Sequence, residues 1–129
     1  MKKRLFAVLM AALTLSACTA EKTSENAGYM CITPQEAKEI MDTQDGYIIL
    51  DTREPSEYEA GHIPGAIVIS HEKIKEQAEA QLPDKDQLIL VYCRSGRRSK
   101  LAAQDLVDLG YTNVKEFGGI IDWPYEVVQ

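Results

Sequence analysis

Residues 88–93 read Leu-Ile-Leu-Val-Tyr-Cys, an unbroken apolar run. A strand with one wet face alternates apolar and polar residues, whereas a run that is apolar throughout reads as a strand covered on both faces. Parallel sheets covered by helices on both faces have strands of this sort. From residue 30 onward short apolar runs alternate with helical patterns, as parallel strands joined by helices require.

The predicted strands are Met30 to Thr33, Tyr47 to Asp51, residues 66–70, residues 88–93 and the VKEF segment at 114–117. Pro34 opens a first helix, PQEAKEIMD, with Thr33 as its N-cap and acids in the first turn. A short helix begins near Pro55, and HEKIKEQAEAQL reads as a charged, exposed helix stopped by Pro83 and Asp84. The next helix runs from about Arg97 through Leu109, with Leu101, Ala102, Leu106 and Leu109 as its apolar stripe and Gly110 as its stop. GGIIDWPYEVV closes the domain as a turn or helix, with Trp123 and Tyr125 as core or rim aromatics.

The chain begins MKKRLFAVLMAALTLSAC, a cationic start followed by an apolar run and then small residues. That order is the layout of an export signal, and the apolar run is short of the ~20 residues a membrane span needs. Leu15, Ser16, Ala17 and Cys18 resemble the lipobox of bacterial lipoproteins. The resemblance implies a signal peptide over residues 1–17 and lipidation of Cys18, hence an exported protein anchored at the cell envelope, on its periplasmic face or the outer cell surface. Residues 18–28 then form the lipidated cysteine and a flexible tether, and residues 29–129 one compact domain. Without residues 1–17 the 14 basic residues fall to 11 while the 20 acids remain, a formal charge of −9. So acidic a chain repels nucleic acid, which is not an expected partner.

Against that balance stands CRSGRRS, residues 93–99, with three arginines and no acid. Cys93 ends the most apolar strand, and a helix follows about four residues later. Ligands of open parallel sheets bind at the carboxyl ends of strands, and the first amides of a helix hold anions. A cysteine there has its thiolate favoured, Gly96 permits a tight curl, and Arg94, Arg97 and Arg98 add fixed positive charge. An inert core cysteine has no reason to adjoin an arginine-rich loop. A zinc site is excluded, since no second cysteine is near and His62 and His71 lack ligand spacing, and no metal or other cofactor is expected. With Cys18 carrying lipid, Cys31 and Cys93 remain, a pair that an oxidising compartment would tend to join.

CRSGRRS after an apolar strand, DTREPSEYEAGHIPGA after an earlier one and FGGIIDW near the end together resemble the rhodanese-like sulfurtransferases over roughly residues 30–125. The resemblance implies a three-layer domain whose five-stranded parallel sheet has the order 1-5-4-2-3 with helices on both faces. It also implies that Cys93 carries sulfane sulfur as a persulfide, taken from a small donor such as thiosulfate and passed to a thiol or cyanide acceptor. Residues 94–98 (Arg94, Ser95, Gly96, Arg97, Arg98) form the substrate and persulfide loop, with Arg94 and Arg97 attracting the donor and Arg98 shaping the loop. Asp51 and Arg53 act as scaffold near the site, Asp51 paired with Arg53, Arg98 or loop amides. His62 is a turn and packing residue, Ser95 and Ser99 are caps or donors, and Lys100 is surface. By that strand order Cys31 and Cys93 lie two strands apart and do not form a disulfide.

Two other functions remain open on the sequence. One is a non-catalytic module that uses the anion loop to bind a partner or metabolite, which the intact Cys93 disfavours. The other is a phosphatase or arsenate-reductase relative. Loops of that kind place their arginine six positions after the cysteine, whereas Arg98 is five after Cys93 and position 99 is Ser.

Overall fold

The computed structural model describes residues 28–129. The expected leader, Cys18 and the tether up to residue 27 lie outside the described residues. The elements run β1 (Met30–Cys31), α1 (Pro34–Thr43), β2 (Ile48–Asp51), α2 (Pro55–Ala60), β3 (Ile67–Val68), a 3-10 turn (His71–Lys73), α3 (Ile74–Gln81), β4 (Ile89–Cys93), α4 (Arg97–Asp108), β5 (Val114–Gly119) and a second 3-10 turn (Ile120–Asp122). All five strands are parallel, in the order β1-β5-β4-β2-β3.

β4 lies between β5 and β2, and each of its five residues is buried. Its alternate side chains feed two cores. On one face Ile89 and Val91 join Leu50, Ile69 and Val114 beneath Ile74 and Ala78 of α3 and Ala102, Ala103 and Leu106 of α4. On the other, Leu90 and Tyr92 join Ile49, Phe117 and Trp123 beneath Ala37 of α1, with Tyr58 of α2 packed alongside. The fold is therefore a three-layer α/β domain, a five-stranded parallel sheet with helices on both faces.

Local signals set the element starts. At α1, Thr33 Oγ1 accepts from Glu36 N–H at 3.0 Å while Glu36 Oε1 accepts from Thr33 N–H at 2.9 Å, so two end amides of the helix are satisfied reciprocally. That cap also shortens β1. Ile32 N–H still bonds Glu116 O at 2.9 Å, but Thr33 has turned to start the helix and the strand stops short of its predicted end. β3 is shorter than expected as well, although Ile69 and His71 continue alongside β2 through amide bonds to Asp51 O and Thr52 O. β5 extends past VKEF to Gly119.

Two expectations about helices are corrected. HEKIKEQAEAQL is not one helix: Ser70 Oγ caps a 3-10 turn, and Lys73, at φ −109° and ψ 4°, separates it from α3. Nor is α3 wholly exposed, because Ile74, Ala78 and Leu82 bury one face. In α4 the buried positions are Ser99, Ala102, Ala103 and Leu106, the i, i+3, i+4, i+7 set of one helix face. Leu101 falls off that face and is 48% exposed. Leu size misled the sequence reading; the helical period places the smaller alanines against the sheet.

The two leucines of α4 should therefore respond differently to truncation. Leu106→Ala should lower unfolding stability by about 2–5 kcal/mol in denaturant titration, as for a fully buried leucine. Leu101→Ala should stay within about 0.5 kcal/mol of wild type. Equal losses at the two positions would contradict this placement of the helix face.

Candidate active site

β4 ends at Cys93 and α4 begins at Arg97, so Arg94, Ser95 and Gly96 make the whole turn from sheet to helix. The turn closes because Gly96 adopts φ +107°, a region that side-chain-bearing residues rarely enter. Gly96 is also the N-cap of α4, and its N–H donates to Cys93 Sγ at 3.0 Å. The sulfur is thereby held at the positive end of a helix dipole, beside an oriented amide. Cys93 itself is 1% exposed.

The three loop arginines divide into two kinds. Arg94 and Arg97 are exposed and make no ion pair with any described residue, so their charge is available to an arriving anion. Arg98 is half-buried and grips Glu57 of α2, its Nη1 and Nη2 donating to the two carboxylate oxygens at 2.8 and 3.0 Å. That bidentate bond holds the Glu57 carboxyl down at about 2, against an ordinary value of 4.5. It ties the segment after β2 to the start of α4. Ser95 is exposed at the tip of the turn.

Asp51 and Arg53 lie at the same edge of the sheet, buried at 0% and 6% exposure. Arg53 Nη2 donates to Asp51 Oδ2 at 2.6 Å and to Gly61 O at 2.7 Å. The Tyr92 hydroxyl donates to Asp51 Oδ2 at 2.8 Å and accepts from Ile63 N–H at 3.1 Å. Burial, reinforced by the Asp51 charge, pushes the Tyr92 hydroxyl well above its usual range, so it stays a donor. None of these hydrogen bonds reaches residues 93–98. The cluster braces the loop after β2 against β4, while the cysteine loop is held by other groups. His62 stacks on Tyr58 at 3.7 Å between ring centroids, its Nδ1 lies 2.8 Å from Tyr58 O, and its backbone pairs with Val128.

The sequence reading missed what supports the cysteine loop from below. Glu116 of β5 is 1% exposed, and its carboxylate accepts from Ser99 Oγ, Lys100 Nζ and Gly118 N–H. Lys100, expected as surface, is instead half-buried against it. One signal was present: alternation from Val114 places Glu116 on the same sheet face as that apolar residue, an odd position for an acid without buried partners. Gly119 meets the loop directly, since a Cβ there would strike the Arg94 carbonyl, and Ile121 N–H donates to Arg94 O at 3.2 Å.

No disulfide joins Cys31 to Cys93. β5 stands between their strands, and two parallel spacings put the backbones about 10 Å apart, beyond the roughly 7 Å that a disulfide spans. A cleft of about 540 Å³ opens behind the loop beside Cys31, Thr33, Lys100 and Glu116 rather than over Cys93. Among the described residues no group of three or more His, Cys, Asp or Glu is placed to hold a metal ion.

The depressed Glu57 carboxyl has a consequence in acid. Between its ordinary value of 4.5 and its folded value of about 2 the unfolded chain binds the extra proton, so the Arg98–Glu57 bond contributes stability above that window and loses it as pH falls through it. Glu57→Gln should lower the melting temperature near about pH 7, and the gap from wild type should close as pH approaches about 2. Salt should narrow it too, because the pair is partly exposed. A gap that stays constant across that range would rule out this bond as its source.

Comparison with known proteins adds to this geometry. Residues 33–124 match the rhodanese-like domain. The chain is 40% identical over 73 residues to the thiosulfate sulfurtransferase PspE of Escherichia coli, covering 57% of this chain and 70% of that protein. It is 36% identical over 96 residues to the thiosulfate sulfurtransferase GlpE of Coxiella burnetii, covering 74% and 87%. Other relatives are longer, and the chain spans 24% and 56% of two of them. Among solved structures, a rhodanese with anions from E. coli superposes with a TM-score of 0.61 at 36% identity, covering 64% of this chain and 98% of that one. With the match spanning most of the sequence and the strand order and cysteine loop in place, the chain belongs to the rhodanese-like domain family.

Proposed function

We propose that the domain is a sulfurtransferase in which Cys93 carries sulfane sulfur from a donor such as thiosulfate to a thiol or cyanide. The observation that carries this reading is the Gly96 N–H donating to Cys93 Sγ at the N-terminus of α4, beside exposed Arg94 and Arg97. Its relatives PspE and GlpE, named as thiosulfate sulfurtransferases, support it.

The chemistry needs only groups of this chain and the two substrates. The Cys93 thiolate attacks the outer sulfur of thiosulfate, the donor's S–S bond breaks, and its electron pair leaves with sulfite. The cysteine persulfide formed is an anion at its outer sulfur, where an oriented amide and the helix dipole stabilise it as oxyanion holes stabilise oxygen anions. An acceptor thiolate or cyanide then attacks that sulfur, the new S–S bond breaks, and the Cys93 thiolate returns. Arg94 and Arg97 draw in the doubly charged donor, and Arg98 holds the helix start through Glu57.

We further propose that residues 1–17 act as an export leader and that Cys18 is lipidated, anchoring the domain at the cell envelope. The order of charged, apolar and small residues before Cys18 supports this.

Cys93→Ser should reduce thiosulfate-to-cyanide transfer by at least about 1,000-fold, the scale on which loss of a nucleophile acts, with the melting temperature kept. Intact mass after thiosulfate treatment should show one added sulfur on the wild type, removed by cyanide, and none on the variant. Turnover near wild type in Cys93→Ser would sink the assignment.

Expressed in a bacterial host, the full chain should take up labelled fatty acid, and Cys18→Ser should take up none. Label retained by the variant, or absent from the wild type, would overturn the anchor.

A further inference from the structure

We infer that Glu116 is the positioning residue of the sulfur site, acting through Ser99 and Gly118 to hold the Gly96 N–H on Cys93. This rests on the reading of Cys93 as the sulfur carrier.

A buried carboxylate is expensive unless its oxygens are matched, and removing its partners leaves a large penalty. Glu116 is matched on both oxygens, and every partner belongs to the cysteine loop's support. Oε2 accepts from the Ser99 hydroxyl at 2.5 Å and from Gly118 N–H at 3.0 Å; Oε1 accepts from Lys100 Nζ at 3.2 Å. The Ser99 hydroxyl that donates to Glu116 also lies 3.1 Å from Gly96 O and 3.4 Å from Gly118 O, so one side chain joins the carboxylate to the helix start and to the bend of β5. Gly96 O accepts in addition from Lys100 N–H at 3.3 Å. The carbonyl side of Gly96 is thus fixed to α4 and, through Ser99, to β5, while its N–H side points at Cys93 Sγ.

The same carboxylate grips the opposite surface of this contact. Gly118 takes φ +95°, and its Cα lies 3.6 Å from where a Gly96 Cβ would stand. By holding Gly118 N–H, Glu116 fixes the bend of β5 on which Gly96 rests. Next along, Gly119 leaves no room for a side chain against the Arg94 carbonyl. One buried group therefore spans helix start and strand bend, and the loop between them keeps a single shape.

A bare carboxylate below an anion loop would oppose the persulfide by charge. Lys100 neutralises it. Burial works to lower the Lys100 ammonium's pKa, but the Glu116 charge and hydrogen bond outweigh that and raise it, so the lysine stays charged.

The test compares Glu116→Leu, Ser99→Ala and Glu116→Gln in two assays. One is steady-state thiosulfate-to-cyanide transfer, and the other is the rate of iodoacetamide alkylation of Cys93 at fixed pH. Loss of an oriented donor lowers rates by 100-fold or more elsewhere, and loosening one should lower kcat by about 10- to 100-fold in Glu116→Leu and about 10-fold in Ser99→Ala. KM for thiosulfate should stay within about 3-fold, because Arg94 and Arg97 are untouched. Alkylation should slow in step with kcat. Glu116→Gln, which keeps an oxygen for Ser99 and Gly118, should restore both rates to within about 3-fold of wild type.

Wild-type kcat in both Glu116→Leu and Ser99→Ala would overturn the inference. So would a loss confined to KM, or a Gln variant as slow as the Leu variant. If Glu116→Leu does not fold, wild-type rates in Ser99→Ala alone overturn it. If the wild type transfers no sulfur, the sulfurtransferase reading fails separately, and the alkylation rates still decide the positioning role: slowed in Ser99→Ala they support it, unchanged they refute it.

Discussion

The structure depends on the passage from β4 to α4 in three residues. β4 is buried on both faces, so it cannot shift in register or direction without disturbing two cores at once. α4 is pinned from the other side by Ala102, Ala103 and Leu106. Between these fixed bodies the chain turns in three residues, and the path it takes uses the left-handed backbone of Gly96. Once the chain takes that path, the Gly96 N–H and the helix dipole converge on Cys93. Apolar packing thus sets where the loop lies.

Three polar clusters brace this end of the sheet, two of them holding the cysteine loop and its helix and the third holding the neighbouring segment after β2. Asp51, Arg53 and Tyr92 lock the segment after β2 to the last turn of β4. Glu116, Ser99, Lys100 and Gly118 seat the loop on β5 from the face that α4 covers. Arg98 and Glu57 join the helix start to α2. Buried ion pairs contribute little net stability compared with apolar residues of equal size, but they are directional, and breaking one side of a pair is strongly destabilising. Clusters of this sort hold the Gly96 N–H on Cys93 in one direction.

The charge arrangement separates structure from recruitment. Of the three arginines in the loop, Arg98 is committed to Glu57, and its charge is largely spent within the fold. Arg94 and Arg97 remain exposed on a chain whose 20 acids outnumber its 14 basic residues. An anion approaching the cysteine loop meets two arginine charges that no described carboxylate neutralises.

Much of this was readable in the sequence, for a local reason. Thr33, Pro34 and Glu36 lie within one turn and declare a helix start, and the LILVYC run declares a strand buried on both sides. Gly96 sits between a strand and a helix only a few residues apart, where a tight curl is expected. The strand order came from resemblance to a family rather than from these residues. What tertiary structure alone decided are pairings between residues far apart in the chain: Glu57 with Arg98, Asp51 with Tyr92 and Glu116 with Ser99. In sequence Glu116 is one acid among 20 and Lys100 one base among 14. Burial makes them partners, because a charge taken out of water must find its match wherever the fold has brought one within reach. Local backbone chemistry determines where elements begin and end; only the packed sheet determines which polar groups are left to satisfy one another.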